Sequence, residues 1–210
     1  MSTDRSSTET AAVSRVLLLI EATNRIGAAR ISDMDLARLA YFTDAFAKLW
    51  GLEPLDRYRL KSNEPRSLMI RRALDRLVAS GVVVPSSVQV SSSDTPYLTA
   101  NYRIDRSLAR PGLEAIAETT IGRREIKLVD EVVFASAGLL NGHLDEALRM
   151  DAGFSDSRVG PNDLIDLGSE TSGTSQTATR FRSAVSSRAL VEAELTHLYM
   201  AYLERTITGE

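Results

Sequence analysis

The sequence predicts a mainly α protein with a smaller β component, an α+β fold. Three observations lead there. Apolar residues recur at helical spacing over most of the 210 residues, the period changes to alternation between residues 82 and 104, and glycine or proline marks most of the boundaries. Residues 1–9, MSTDRSSTE, are small and polar with nothing to bury, so residues 1–10 are expected to be a disordered tail. A first helix is expected from about Ala11 to Arg25, with Val13, Val16, Leu17 and Ile20 on its inner face and Gly27 at its end.

Ser32 and Asp35 make a short capping signal for a second helix, which runs to Trp50 and is stopped by Gly51 and Pro54. Leu36, Leu39, Ala40, Phe42, Phe46, Ala47, Leu49 and Trp50 fill about half of its circumference at 100 degrees per residue, leaving Tyr41, Asp44 and Lys48 outside. A third helix is expected from near Asn63, with Pro65 tolerated in its first turn, to Ser80 before Gly81. Its inner face is Ile70, Ala73, Leu74 and Leu77. The β-rich stretches 82–84, 88–90 and 97–104 follow, with Ser91 to Asp94 as the turn. Helices followed by a β-hairpin that leaves the last helix through a glycine give a winged-helix-like core over residues 11–105, the hairpin being its wing.

Beyond Pro111-Gly112 helical patterns resume over Leu113 to Ile121, Ile126 to Leu140 and Leu144 to Met150, with breaks at glycines 122, 138 and 142, a helical extension over 106–167. Residues 168–179, GSETSGTSQTAT, lack any large apolar side chain and read as a flexible linker. It tethers a C-terminal helix over 180–207. Val191, Leu195, Leu198 and Tyr202 fall on one face of that helix with Tyr199 beside them, a stripe that must dock on its own domain or on another chain.

The chemistry is bounded by what is missing. Cysteine is absent, which excludes disulfides, thiolate nucleophiles and cysteine-ligated metal centres. The longest apolar run, Val16 to Ile20, cannot span a bilayer, and Asp4 and Glu9 do not suit a signal peptide, so a cytoplasmic protein without membrane association is expected. His143 and His197 lie in different segments without metal-site spacing. Asp151, Asp156, Asp163 and Asp166 could offer carboxylates to a hard cation, but their spacing fits no calcium loop and a solvated loop is expected. Gly138 and Gly142 lack the lysine of a phosphate loop. No catalytic residue, metal or cofactor is assigned, and the chain is expected not to be an enzyme.

One region carries a marked charge bias. Between Arg57 and Arg76 seven basic residues (Arg57, Arg59, Lys61, Arg66, Arg71, Arg72 and Arg76) stand against Glu64 and Asp75, a net of +5, so the remainder carries −8 of the total of −3. Arginine forks suit phosphate or carboxylate, and these seven residues are the candidates for contact with nucleic acid or an acidic protein surface, unless they are simply a solvated face. Tyr58 alone among them makes no stacking platform for single strands.

The segments LARLAYFTDAFAKLWGLEP (36–54) and RSLMIRRALDRLVASGVV (66–83) carry a resemblance to two groups of small bacterial proteins. The chain resembles the middle component of bacterial three-component ABC systems, as in Lamassu-type antiphage defence, where a small helical protein accompanies an SMC- or RecF-like ATPase. It is also similar to Panacea-type antitoxin and regulator domains. Leu39, Tyr41, Phe42 and Asp44 before Gly51 carry the likeness, which spans roughly residues 11–105. Panacea-type domains usually have glycine-proline after the basic stretch, where this chain has Asn63-Glu64-Pro65, so the middle-component likeness is the stronger. It implies a non-catalytic accessory subunit that binds an SMC-like ATPase and an effector protein and couples DNA sensing to effector control, reaching double-stranded DNA through the complex. The alternative is a winged-helix DNA-binding regulator or antitoxin whose third helix enters a groove of the duplex.

Overall fold

A single buried apolar core joins helices from both ends of the chain, built around a central helix that is covered on nearly every side. The structure, a computed structural model, describes residues 2–55, 58–61, 64–90, 98–140, 142–155, 164–165, 167, 173–184 and 190–209. Among them are helix α1 (Ser2–Arg25), strand β1 (Ile31–Ser32), helix α2 (Asp33–Ala47) with a 3-10 turn over Lys48–Trp50, strands β2 (Tyr58–Lys61) and β3 (Glu64–Arg66), and helix α3 (Leu68–Ala79). Strands β4 (Val83–Val90) and β5 (Leu98–Ile104) come next, then helices α4 (Arg106–Glu118), α5 (Thr120–Ala135), α6 (Leu144–Met150) and α7 (Ala152–Ser155). Strand β6 (Leu164–Ile165) and helices α8 (Gly173–Ala184) and α9 (Glu192–Thr208) complete the order. The fold is thus mainly helical with two small antiparallel sheets, ordered β1-β5-β4 and β3-β2-β6. No helix among the described residues is long and apolar enough to cross a membrane.

The caps explain where α2 and α3 begin. The Ser32 hydroxyl accepts from the Asp35 amide at 3.0 Å, as the sequence leads one to expect, and Gly51 at φ +65° takes the left-handed turn that closes the helix. Helix α3 starts later than expected. Ser67 caps it, accepting from the Ile70 amide at 3.0 Å, and Pro65 sits in β3 opposite Leu60. A proline lacks the donor that an interior strand needs, and β3 is an edge strand that does not need it. The other edge proline, Pro85, lies in β4, just before a bulge between Ser86 and Gln89. The expected turn at Ser91 to Asp94 lies outside the described residues.

Three expectations at the chain ends and junctions are corrected. Residues 2–10 are not a disordered tail but the first turns of α1, whose flank lies against α3, with Glu9 bonded to Arg76 at 2.8 Å. Of the expected linker over 168–179, residues 168–172 lie outside the described residues and 173–179 are helix, with Thr174 and Ala178 buried and Phe181 edge-on to Tyr199. The C-terminal helix is therefore two helices, with Val191 at the cap of the second. Helix α4 begins at Arg106 rather than after Pro111-Gly112, because the Asp105 carboxylate caps the amides of Ser107 and Leu108. Gly122 lies within α5, one turn from its cap, and does not break a helix.

Candidate functional site

The arginine-rich segment does not form one continuous face. Arg66 and Arg71 converge on Asp33 at the start of α2, with Nη1 to carboxylate distances of 3.8 and 3.1 Å, and Arg71 also holds Asp75 at 3.2 Å. Arg66 further donates to the Met34 sulfur at 3.3 Å. Arg72 and Arg76 point the other way, toward α1, where Arg76 meets Glu9. Arg72 is exposed and has no ion pair among the described residues. Arg59 is exposed on β2, directly across from Arg66 in the strand register, and Lys61 stands across from Glu64. Arg57 lies outside the described residues. Tyr58 is buried, its ring edge-on to Tyr41.

The C-terminal stripe is divided as well. Leu195 and Tyr199 are fully buried in the chain's own core, whereas Leu198 and Tyr202 are 41 % and 45 % exposed and Val191 is exposed at the helix start. Tyr199 is pinned from both ends of its side chain: its ring packs on Phe46, and its hydroxyl donates to Asp151 at 2.6 Å. Leu198 and Tyr202, one turn apart, remain as an outward apolar pair beside Phe181.

Two buried polar clusters were not legible beforehand. In the first, Arg15 from α1 is fully buried and bonds Asp44 of α2 at 2.7 Å and Glu125 of α5. The Asp44 carboxylate also accepts the Tyr58 hydroxyl at 2.8 Å and the Leu55 amide at 2.9 Å. Burial works against the guanidinium charge, but the two carboxylates outweigh it and hold Arg15 above its ordinary pKa. Asp44 and Tyr41, expected on the outside of their helix, are both completely enclosed, because α2 touches α1, α5, α6 and α8 and carries strands on its remaining flank.

The second cluster contains Asp151, expected in a solvated acidic loop. It is fully buried and accepts from the hydroxyls of Tyr41 (2.7 Å), Tyr199 (2.6 Å) and Thr174 (2.9 Å) and from the Phe154 amide (2.9 Å). Burial, and then the adjacent carboxylate, holds the Tyr199 hydroxyl protonated, far above its ordinary range. These donors fill the carboxylate's lone pairs and tie α2, α7, α8 and α9 together. Asp156, Asp163 and Asp166 lie outside the described residues, and among the described residues no three metal-ligating side chains come together.

His197 meets Glu131 at 2.6 Å and His143 meets Glu146 at 3.2 Å, both as partners to a carboxylate. Two grooves lined by described residues bear on the site. One, of about 600 Å³, lies between α1, α5 and α9, with exposed Phe134 between the Arg25–Asp130 and His197–Glu131 pairs. The other, of about 290 Å³, lies between α1 and α3 and has an apolar floor of Val13, Met69 and Ala73. Compared with known proteins, the chain matches no family model, no curated protein and no solved structure.

Proposed function

We propose that the chain is a non-catalytic accessory subunit that docks on an SMC-like ABC ATPase in a bacterial, Lamassu-type antiphage defence complex. There it couples DNA sensing to control of an effector protein, in the cytoplasm and without a cofactor of its own. The partner's identity rests on the sequence likeness of residues 36–54 and 66–83. The scaffold is proposed to be a winged helix: α1, β1, α2, α3 and the β4–β5 hairpin follow in that order, and the sheet order β1-β5-β4 supports it.

The observation that carries protein docking over DNA reading is how the arginines are already used. Asp33, Asp75 and Glu9 neutralise Arg66, Arg71 and Arg76 within the chain, which weakens the basic field a duplex would need. The outward pair Leu198 and Tyr202 on α9, with Val191, supplies a second contact of the kind protein interfaces favour.

The second reading, a DNA-binding regulator or antitoxin, is favoured by Arg72 and Arg59, which are exposed and have no ion pair among the described residues. A titration of the isolated chain with duplex DNA separates the two. As a subunit the isolated chain binds duplex only weakly at physiological salt, in the range of about 10⁻⁴ M or weaker, and Arg72→Ala plus Arg76→Ala changes little. Binding in the nanomolar range that falls steeply with salt and is lost in that double variant would instead assign the chain to the regulators.

A further inference from the structure

The α1–α3 groove combines three features that a solvated helix face lacks. Its floor is apolar, its rim holds two arginines one helical turn apart, and one of those arginines already holds a carboxylate. Leu68 stands at its lip, 63 % exposed at the first turn of α3, with Met69 beside it. Arg72 and Arg76 lie at i and i+4 along α3, about 6 Å apart along the axis. Glu9 reaches Arg76 from α1 at 2.8 Å and leaves Arg72 without an ion pair among the described residues.

We propose that this groove is the docking site for an acidic amphipathic helix of the partner protein, the occupant of Arg72 being a partner glutamate or aspartate. This deepens the subunit reading and rests on it. Glu9 occupies the position of one ligand carboxylate, so a partner helix laid along α3 would place a carboxylate on Arg72 and compete with Glu9 for Arg76. Its apolar side chains would cover Leu68 and enter the groove over Val13, Met69 and Ala73. The volume of about 290 Å³ takes apolar side chains rather than a folded surface. Charge complementarity to Arg72 and Arg76 calls for an anionic occupant, and the apolar floor chooses an amphipathic helix over a phosphate backbone. An exposed leucine over an apolar floor gains nothing from a sugar-phosphate chain, whereas the apolar face of a helix covers both.

The test uses the full chain and a labelled, stapled helical peptide with leucine on one face and glutamate along its edge. Its twin has lysine at each glutamate. The acidic peptide is expected to bind and the twin not to. Arg72→Glu and Leu68→Asp should each weaken binding at least about tenfold, with unchanged thermal unfolding because both side chains are exposed. Glu9→Gln should tighten it severalfold by removing the internal competitor. Equal binding of both peptides, indifference to Arg72→Glu, or displacement of the acidic peptide by duplex DNA at physiological salt would overturn the proposal. The two levels can fail separately. If the ATPase co-purifies with the Arg72→Glu variant as well as with wild type, the groove proposal falls and the subunit reading stands. If the peptide behaves as expected but no ATPase complex forms, the subunit reading falls.

Discussion

Asp44→Ala is expected to lower the unfolding free energy by about 3–5 kcal/mol, because it strands the Arg15 charge in the core. The Arg15 guanidinium is fully enclosed, one of its nitrogens has no hydrogen-bond partner among the described residues, and Asp44 is one of the two carboxylates it bonds there. The same substitution removes the acceptor of the Tyr58 hydroxyl and of the Leu55 amide, and so frees the chain that enters β2. Urea unfolding at neutral pH measures it. Lys48→Ala, which removes an ion pair on the same helical segment whose Glu53 partner is largely exposed, should stay within about 0.5 kcal/mol of wild type. A loss under about 1 kcal/mol for Asp44→Ala would mean that the pair is solvated rather than buried.

Tyr199→Ala is the second large effect, again about 3–5 kcal/mol, while Tyr202→Ala three residues later should cost about 1 kcal/mol or less. Tyr199 has no exposed surface and gives up its ring contact with Phe46 and its bond to Asp151; Tyr202 is nearly half exposed. Denaturation of the two variants side by side reads the difference. Were they equal, α9 would be held no more firmly at Tyr199 than at its surface, and its inner face would be open to another chain. The contrast also separates stability from binding: Tyr202→Ala should fold normally and still weaken a partner contact made through Leu198 and Tyr202.

Local signals were the legible part of this molecule. A serine followed three residues on by an acid located the start of α2, Gly51 and Gly81 located two helix ends, and the alternation of Leu98 to Ile104 located β5. Each depends on residues within one or two turns of one another. The polar centres depend on something else. Arg15 meets a carboxylate 29 residues away and another 110 residues away, and Asp151 collects hydroxyls from Tyr41, Thr174 and Tyr199. Periodicity assigns a polar residue to solvent unless its partner is visible, and that rule puts Tyr41 and Asp44 on the outside of their helix.

One signal was available. Arg15 interrupts the apolar run of α1 next to Val16, and Asp44 sits between Phe42 and Phe46, which is where a charge with a buried partner belongs. The segment at 173–179 failed differently. Having no large apolar residue, it reads as a linker, yet Thr174 and Ala178 are buried and the Thr174 hydroxyl donates to Asp151. For the arginines, composition located the charge but not the carboxylates that divide it. Glu9 comes from 67 residues away and Asp33 from 38, so one apparent patch became two sites.

Co-expression with an SMC-like ATPase of the kind the proposed role requires, followed by size-exclusion chromatography with light scattering, addresses that role most directly. The chain should elute with the ATPase as a complex of defined stoichiometry, with folded Arg72→Glu and Tyr202→Ala variants depleted from that peak. A monodisperse chain that elutes alone at every concentration, whether or not the ATPase is present, would contradict it.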